Sequence, residues 1–217
     1  LISKESLNQI TQGLPVNTSI ILAILAGLGS TLAYLDYNRV VLNGKTKPNG
    51  ATWAVFSAIS LVSTSSYFAA SGDFWKSTIP FVNVVLCIGT FVLTLVKGKF
   101  SKLDGVSWCV LIIGIVAAVV WKFTTATYGN MISQGAIIIG FIPTWRGVWQ
   151  NPSRENPRPW WTWSVSYAIA GTVVILRWRH QWIDLLYPGL CIFTHALVPL
   201  VGMASKAFNL QPKMRGA

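Results

Sequence analysis

Acidic side chains are scarce in this chain: 6 Asp and Glu stand against 17 Lys and Arg in 217 residues. Ionised residues together make up 11% of the sequence, where a soluble globular domain carries about 25%. That shortage excludes an ordinary soluble enzyme. Cysteine is also rare, with 3 residues. Each lies inside an apolar stretch, where a free thiol behaves as a small hydrophobe, so no disulfide framework is expected. Several signatures of chemistry are missing as well. There is no nucleophile elbow and no Gly-rich phosphate loop. No Asp or Glu falls within an apolar run, which leaves no intramembrane carboxylate for proton coupling. The last apolar run has no Lys before Lys206, so a retinal Schiff base is excluded. The expectation is a protein that is not an enzyme and holds no cofactor.

What the chain does have is length without charge. Seven runs lack Asp, Glu, Lys and Arg: residues 16–35, 51–72, 77–96, 105–121, 123–145, 159–176 and 185–205. A bilayer core about 30 Å thick needs roughly 20 residues of helix at about 1.5 Å each. The runs lack the alternation of barrel strands, so the backbone must satisfy itself as helix. They predict an all-α integral membrane protein with seven transmembrane helices. The fourth run is short and only Lys122 separates it from the fifth, with Thr124 to Asn130 expected to make the turn. Residues Leu1 to Gly13 contain Lys4, Glu5, Asn8, Gln9 and Gln12 and no apolar core, so no cleavable signal peptide is expected there.

The cations sort by side. Lys4, Lys76, Lys122, Arg177 and Arg179 fall on the N-terminal side, five of the 17, and the other twelve fall opposite. By the positive-inside rule the N-terminus is outside and the C-terminus cytoplasmic in a multi-pass membrane protein. The basic excess is then a topology signal, and no nucleic-acid partner is expected. The 11 Trp cluster near the two predicted interfaces, where indole rings settle at headgroup level.

The chain also resembles itself. Thr52-Trp-Ala-Val-Phe-Ser-Ala-Ile59 matches Thr162-Trp-Ser-Val-Ser-Tyr-Ala-Ile169, and Leu86-Cys-Ile-Gly-Thr90 matches Leu190-Cys-Ile-Phe-Thr194. Upstream, Lys45 to Gly50 and Arg154 to Pro159 are both basic, Pro-containing loops. An alternative register for the third helix pairs Pro80 with Pro188. The repeat predicts parallel three-helix units joined by a linker helix, a 3+1+3 plan. The segments are 1–15 (N-terminal, extramembrane), 16–96 (first unit), 97–128 (linker helix), 129–205 (second unit) and 206–217 (cytoplasmic tail).

In the second unit Gly140-Phe-Ile-Pro143-Thr144, Trp149, Asn151-Pro152, Glu155 and Trp161-Thr-Trp163 join its first two helices. With the 3+1+3 plan, this segment resembles the PQ-loop superfamily, which includes the SWEET sugar transporters and related vitamin carriers. Thr144 stands where the name-giving Gln would be, and the first unit has Ala33-Tyr34 at the corresponding place. The resemblance implies a carrier or facilitator for a small polar solute that rocks one unit against the other, with prolines as hinges.

It also implies substrate-contacting polar residues on the third helix of each unit. Asn83 and His195 are those candidates, with Tyr67 and Tyr167 as aromatic neighbours; the plainer role for Asn83 is an interhelical hydrogen bond. Trp53 and Trp163, each preceded by Thr, are gate or stacking candidates, the plainer role being helix capping and interface anchoring. Pro143 is the hinge candidate. Cys191 and His195 share a helix face, but two ligands without a carboxylate make a poor metal site, so none is expected. Ala23 with Gly27 and Ala136 with Gly140 are small-residue pairs that permit close helix packing, inside the molecule or against a partner. The second reading of the chain is a non-catalytic scaffold or accessory subunit, with the bilayer, other membrane subunits or a homo-oligomer as partners.

Overall fold

The computed structural model describes residues 4–44, 50–97, 103–179 and 181–214. Among them are seven α-helices: α1 (Lys4–Leu42), α2 (Gly50–Ser71), α3 (Thr78–Lys97), α4 (Gly105–Phe123), α5 (Ala126–Gln150), α6 (Pro157–Leu176) and α7 (Leu186–Met214). A 3-10 turn, Trp182–Leu185, leads into α7. Each uncharged run holds one helix. The helices overrun the runs at both ends of the described chain: α1 starts at Lys4 and α7 continues to Met214, so the segments expected to flank the bundle are helical from Lys4 to Pro15 and from Lys206 to Met214.

Local chemistry sets the breaks. Gly72 adopts a positive φ of 58° past the end of α2, where its N–H bonds to the Phe68 carbonyl, a conformation that costs glycine nothing. Asp104 caps α4 by accepting the Ser107 N–H at 2.8 Å, and Asn156 caps α6 ahead of Pro157. The turn between α4 and α5 is tighter than expected, confined to Thr124 and Thr125. The Thr124 hydroxyl and N–H both bond to the Val120 carbonyl, and α5 starts at Ala126. Of the two threonines of the repeated Thr-Trp segment, Thr162 does not cap. Thr162 lies inside α6 with its hydroxyl on the Arg158 carbonyl, while Thr52, at the third position of α2, has a side chain outside the described residues.

Among the described residues five segments are long and apolar enough to cross a bilayer: Asn17–Leu42, Trp53–Ser71, Thr78–Val96, Gly105–Phe123 and Trp182–Phe208. The chain is thus a multi-pass membrane protein by length and composition. Helices α5 and α6 fall short of that apolarity because they carry Asn130, Ser133, Gln134, Ser164, Ser166 and Tyr167, all of them buried. The outside of the molecule is apolar, and most of its uncharged polar side chains on α5 and α6 are turned into the core. Ile21, Leu25, Leu28, Leu32 and Leu35 form an exposed stripe on α1, and Ile112, Ile115, Val116 and Val119 one on α4. Lipid, not water, suits such faces.

The helices pack as a closed ring in the order α1, α3, α2, α5, α7, α6 and back to α1, with α4 outside against α2 and α5. Glycine sets two of the approaches. Ser166 of α6 packs directly against Gly29 of α1, and a Cβ on Gly140 would lie 2.9 Å from the Phe56 ring of α2. The small-residue pairs are therefore used within the ring, Gly27 facing Thr78 and Val82 of α3 and Gly140 facing α2.

Candidate functional site

The ring encloses a cavity of about 640 Å³, within the 300–1,000 Å³ typical of small-molecule sites. All six ring helices contribute to it: Tyr34 and Tyr37 of α1, Trp53, Phe56 and Ser60 of α2, Asn83 and Cys87 of α3, Phe141 and Pro143 of α5, Trp160, Trp163 and Tyr167 of α6, and Tyr187, Cys191 and His195 of α7. Its mouth is charged and exposed, with Asp104, Arg146 and Arg154 at the rim. Its depth is aromatic and uncharged.

Asn83 is the polar hub of the deep end. Its amide oxygen accepts from Ser30 at 2.6 Å, and its amide nitrogen donates to the hydroxyls of Tyr167 and Tyr187. One side chain so joins α1, α3, α6 and α7. With both amide hydrogens given to the tyrosines, Asn83 sets the orientation of Tyr167 and Tyr187. His195 is held by its Nδ1, 2.8 Å from the Cys191 carbonyl. A carbonyl can only accept, so Nδ1 carries the proton. Its ring lies 4.9 Å from Phe141, 5.0 Å from Tyr167, 5.6 Å from Trp163 and 5.7 Å from Trp160, centroid to centroid.

Trp53 and Trp163 meet through α1. Tyr34 packs edge-on to Trp163 at 4.8 Å and lies 6.3 Å from Trp53, while Tyr37 is 5.2 Å from Trp53. Neither indole is an interface anchor: Trp53 and Trp163 are 9% and 3% exposed, against 55% for Trp108 and 65% for Trp182. Tyr67, expected beside the solute, stands behind the cavity wall. Its hydroxyl donates to the Asp184 carbonyl at 3.0 Å, and its ring packs on Tyr187.

Beyond Tyr67 the bundle is shut by charge. Lys76, after α2, bonds to Asp184, before α7, at 2.6 Å with both side chains buried. Arg177, after α6, reaches Asp73 at 2.8 Å and the Ser19 hydroxyl of α1 at 3.1 Å. Burial works against the Asp73 carboxylate, but the Arg177 guanidinium and the N–H groups of Lys76 and Trp75 outweigh it and hold its pKa below the ordinary value. At the mouth, burial pushes Glu155 up to about 7, against the opposing effects of the Trp160 indole N–H, 3.3 Å away, and Arg154. Among the described residues no cluster of three His, Cys, Asp or Glu could hold a metal ion.

Asn83, His195, Tyr167, Trp53, Trp163 and Pro143 thus converge on one cavity. Sequence reasoning missed Tyr34, Tyr37, Trp160 and Tyr187, whose spacing resembles that of any interfacial aromatic. It also missed the ion pairs, although their four members all fall in the two connections assigned to one side. No family model, curated protein or solved structure matches the chain.

Proposed function

We propose that this protein is a membrane carrier or facilitator for a small polar solute, working by rocking of two three-helix units against each other. The cavity carries the reading: it is open at one end, polar at its depth, and closed at the other end by ion pairs that join the α2–α3 connection to the α6–α7 connection. Such pairs hold when that end is shut and part when it opens.

The ring supports two parallel units. Exchanging α1 with α5, α2 with α6 and α3 with α7 turns the α1–α3 contact into α5–α7, α2–α3 into α6–α7, and α1–α6 into α2–α5. Each of these contacts exists, and α4 is left over as the linker. In this reading α5 and α6 cross the membrane too, being 25 and 20 residues long, or about 38 and 30 Å of helix. Their buried polar side chains face the ring, not lipid. The excess of cations on the side of the mouth supports a mouth that faces the cytoplasm. The scaffold reading has less support, since the small-residue pairs it would offer to partners are spent inside the molecule.

Thiol labelling tests the reading. Cys87 and Cys191 are buried and Cys109 lies exposed on α4, while Ser60 stands half-buried on the cavity wall. In a Cys109→Ala background, a membrane-impermeant methanethiosulfonate is expected to modify the thiol of Ser60→Cys in inside-out vesicles and not in right-side-out ones. Solute counterflow in proteoliposomes is expected to fall on Asn83→Ala, which unties Tyr167 and Tyr187. Equal labelling from both faces, or none from either, would sink the proposal.

A further inference from the structure

We infer that the solute carried here is a small organic cation with a methylated ammonium group, held by an aromatic belt in the cavity and by the carboxylate of Glu155. The inference rests on the carrier reading of the same cavity and names its substrate class.

Two observations carry it. The first is the belt. Six rings that line the cavity meet in a closed sequence. Between centroids, Tyr37 is 5.2 Å from Trp53, Trp53 is 6.2 Å from Phe56, and Phe56 is 5.6 Å from Phe141. Phe141 is 5.9 Å from Trp160, Trp160 is 5.3 Å from Trp163, and Trp163 returns to Tyr37 at 6.2 Å. The order α1, α2, α5, α6 and back to α1 follows that of the helices around the ring, so the belt runs round the cavity and not along one wall. A cation within about 6 Å of an aromatic centroid is drawn to the ring face, and a cage of several rings suits a quaternary ammonium. Methyl groups enlarge the ion, so it loses less hydration on entry than a compact ammonium.

The second is a carboxylate left without a counter-charge. Of the carboxylates described, Asp36, Asp73 and Asp184 are ion-paired and Asp104 caps α4. Glu155, half-buried on the cavity wall, pairs with no cation among the described residues. It accepts the Trp160 indole N–H at 3.3 Å and lies within electrostatic reach of Tyr37, so it stands beside two members of the belt. The cations around it are turned elsewhere. Arg154, next to it in the chain, is exposed and lies against Gly147. Arg146 of α5 and Lys206 of α7 are exposed, and Arg158 of α6 is held by Asp36. Asp104, at the start of α4, and His195, deeper in α7, are the other titratable groups that share the cavity outside its tyrosines and cysteines. Burial keeps the proton on Glu155 up to about pH 7. A bound cation favours the ionised form and drives that proton off, so binding tightens as pH rises.

The test is equilibrium binding of radiolabelled choline to the purified full chain in detergent. Saturable binding is expected, with tetramethylammonium competing. 3,3-Dimethyl-1-butanol has the shape of choline without its charge, and is expected to compete at least about tenfold more weakly. Choline binding is expected to tighten at least about tenfold from pH 5.5 to pH 8. Glu155→Gln keeps an acceptor for the Trp160 N–H, and is expected to bind choline more weakly at pH 8 and to lose the pH dependence. The neutral competitor and the pH series act on the unaltered protein, so the proposal stays testable even if the variant fails to fold. No saturable binding of choline, equal competition by the neutral alcohol, or a pH dependence that survives Glu155→Gln overturns the cation proposal. If another solute then shows counterflow, the carrier reading survives alone; if choline binds and is not transported, the carrier reading is the one that fails.

Discussion

Lys76 and Asp184 sit 108 residues apart in the chain and 2.6 Å apart in the fold, with 0% and 2% of their side chains exposed. Removing one partner of such a pair leaves a buried, uncompensated charge, at a cost of about 3–5 kcal/mol, whereas replacing both with apolar groups is often nearly neutral. Lys76→Met is therefore expected to lower the melting temperature in detergent, and Lys76→Met with Asp184→Leu to recover most of it. A strictly additive double variant would show that the two charges are not coupled. Glu155 adds a pH dependence of opposite sense to that of Asp73. Its pKa in the fold, about 7, lies above the ordinary 4.5, so the folded state binds the proton more tightly. Its contribution is fully present below about 4.5 and is lost as pH rises through about 7. The depressed Asp73 contributes above its ordinary 3.8 and loses that contribution as pH falls through its lowered pKa. Glu155→Gln is thus expected to flatten the fall in thermal stability between pH 5.5 and pH 8 and to leave the acid limb unchanged, as read by melting curves across that range.

Helix–helix spacing governs the next scale up. Gly140 of α5 faces Phe56 of α2 with no room for a side chain, one turn before Pro143. Gly140→Val forces that ring aside or the helices apart, an overpacking cost of about 1–3 kcal/mol, and a lower melting temperature is the expected readout. The same contact explains what was legible in advance. The Ala136 and Gly140 spacing announced a close approach but not its partner, because spacing along one helix carries no information about the neighbour. Helix existence was readable from uncharged runs. The α4–α5 break was placed loosely because Thr124 and Thr125 end and restart helices through backbone bonds that composition does not show. Apolarity alone, in turn, underrates α5 and α6, whose polar residues turn inward.

The whole ring has one open and one sealed end, and the seal is electrostatic. Neutralising it is expected to change access. When Asp184→Asn is added to the Ser60→Cys, Cys109→Ala protein, the impermeant thiol reagent should reach the introduced thiol from the face that is closed in the native protein, and one-sided labelling with no new access would show that the ion pair does not hold the seal. Asn83 ties four helices at the floor of the cavity, so a change in α1 or α3 is felt by the tyrosines of α6 and α7.

By itself the sequence determined the membrane class and the seven helical segments, because each follows from composition and spacing over about 20 residues. The tertiary structure alone decided which faces turn inward. Helices apolar nearly all round carry little amphipathic signal, so nothing along the chain distinguished buried Trp163 from exposed Trp108, or Tyr67 behind the wall from Tyr167 within it. The ion pairs belong to the same class. Their partners lie more than a hundred residues apart, and only closure of the ring brings them within reach.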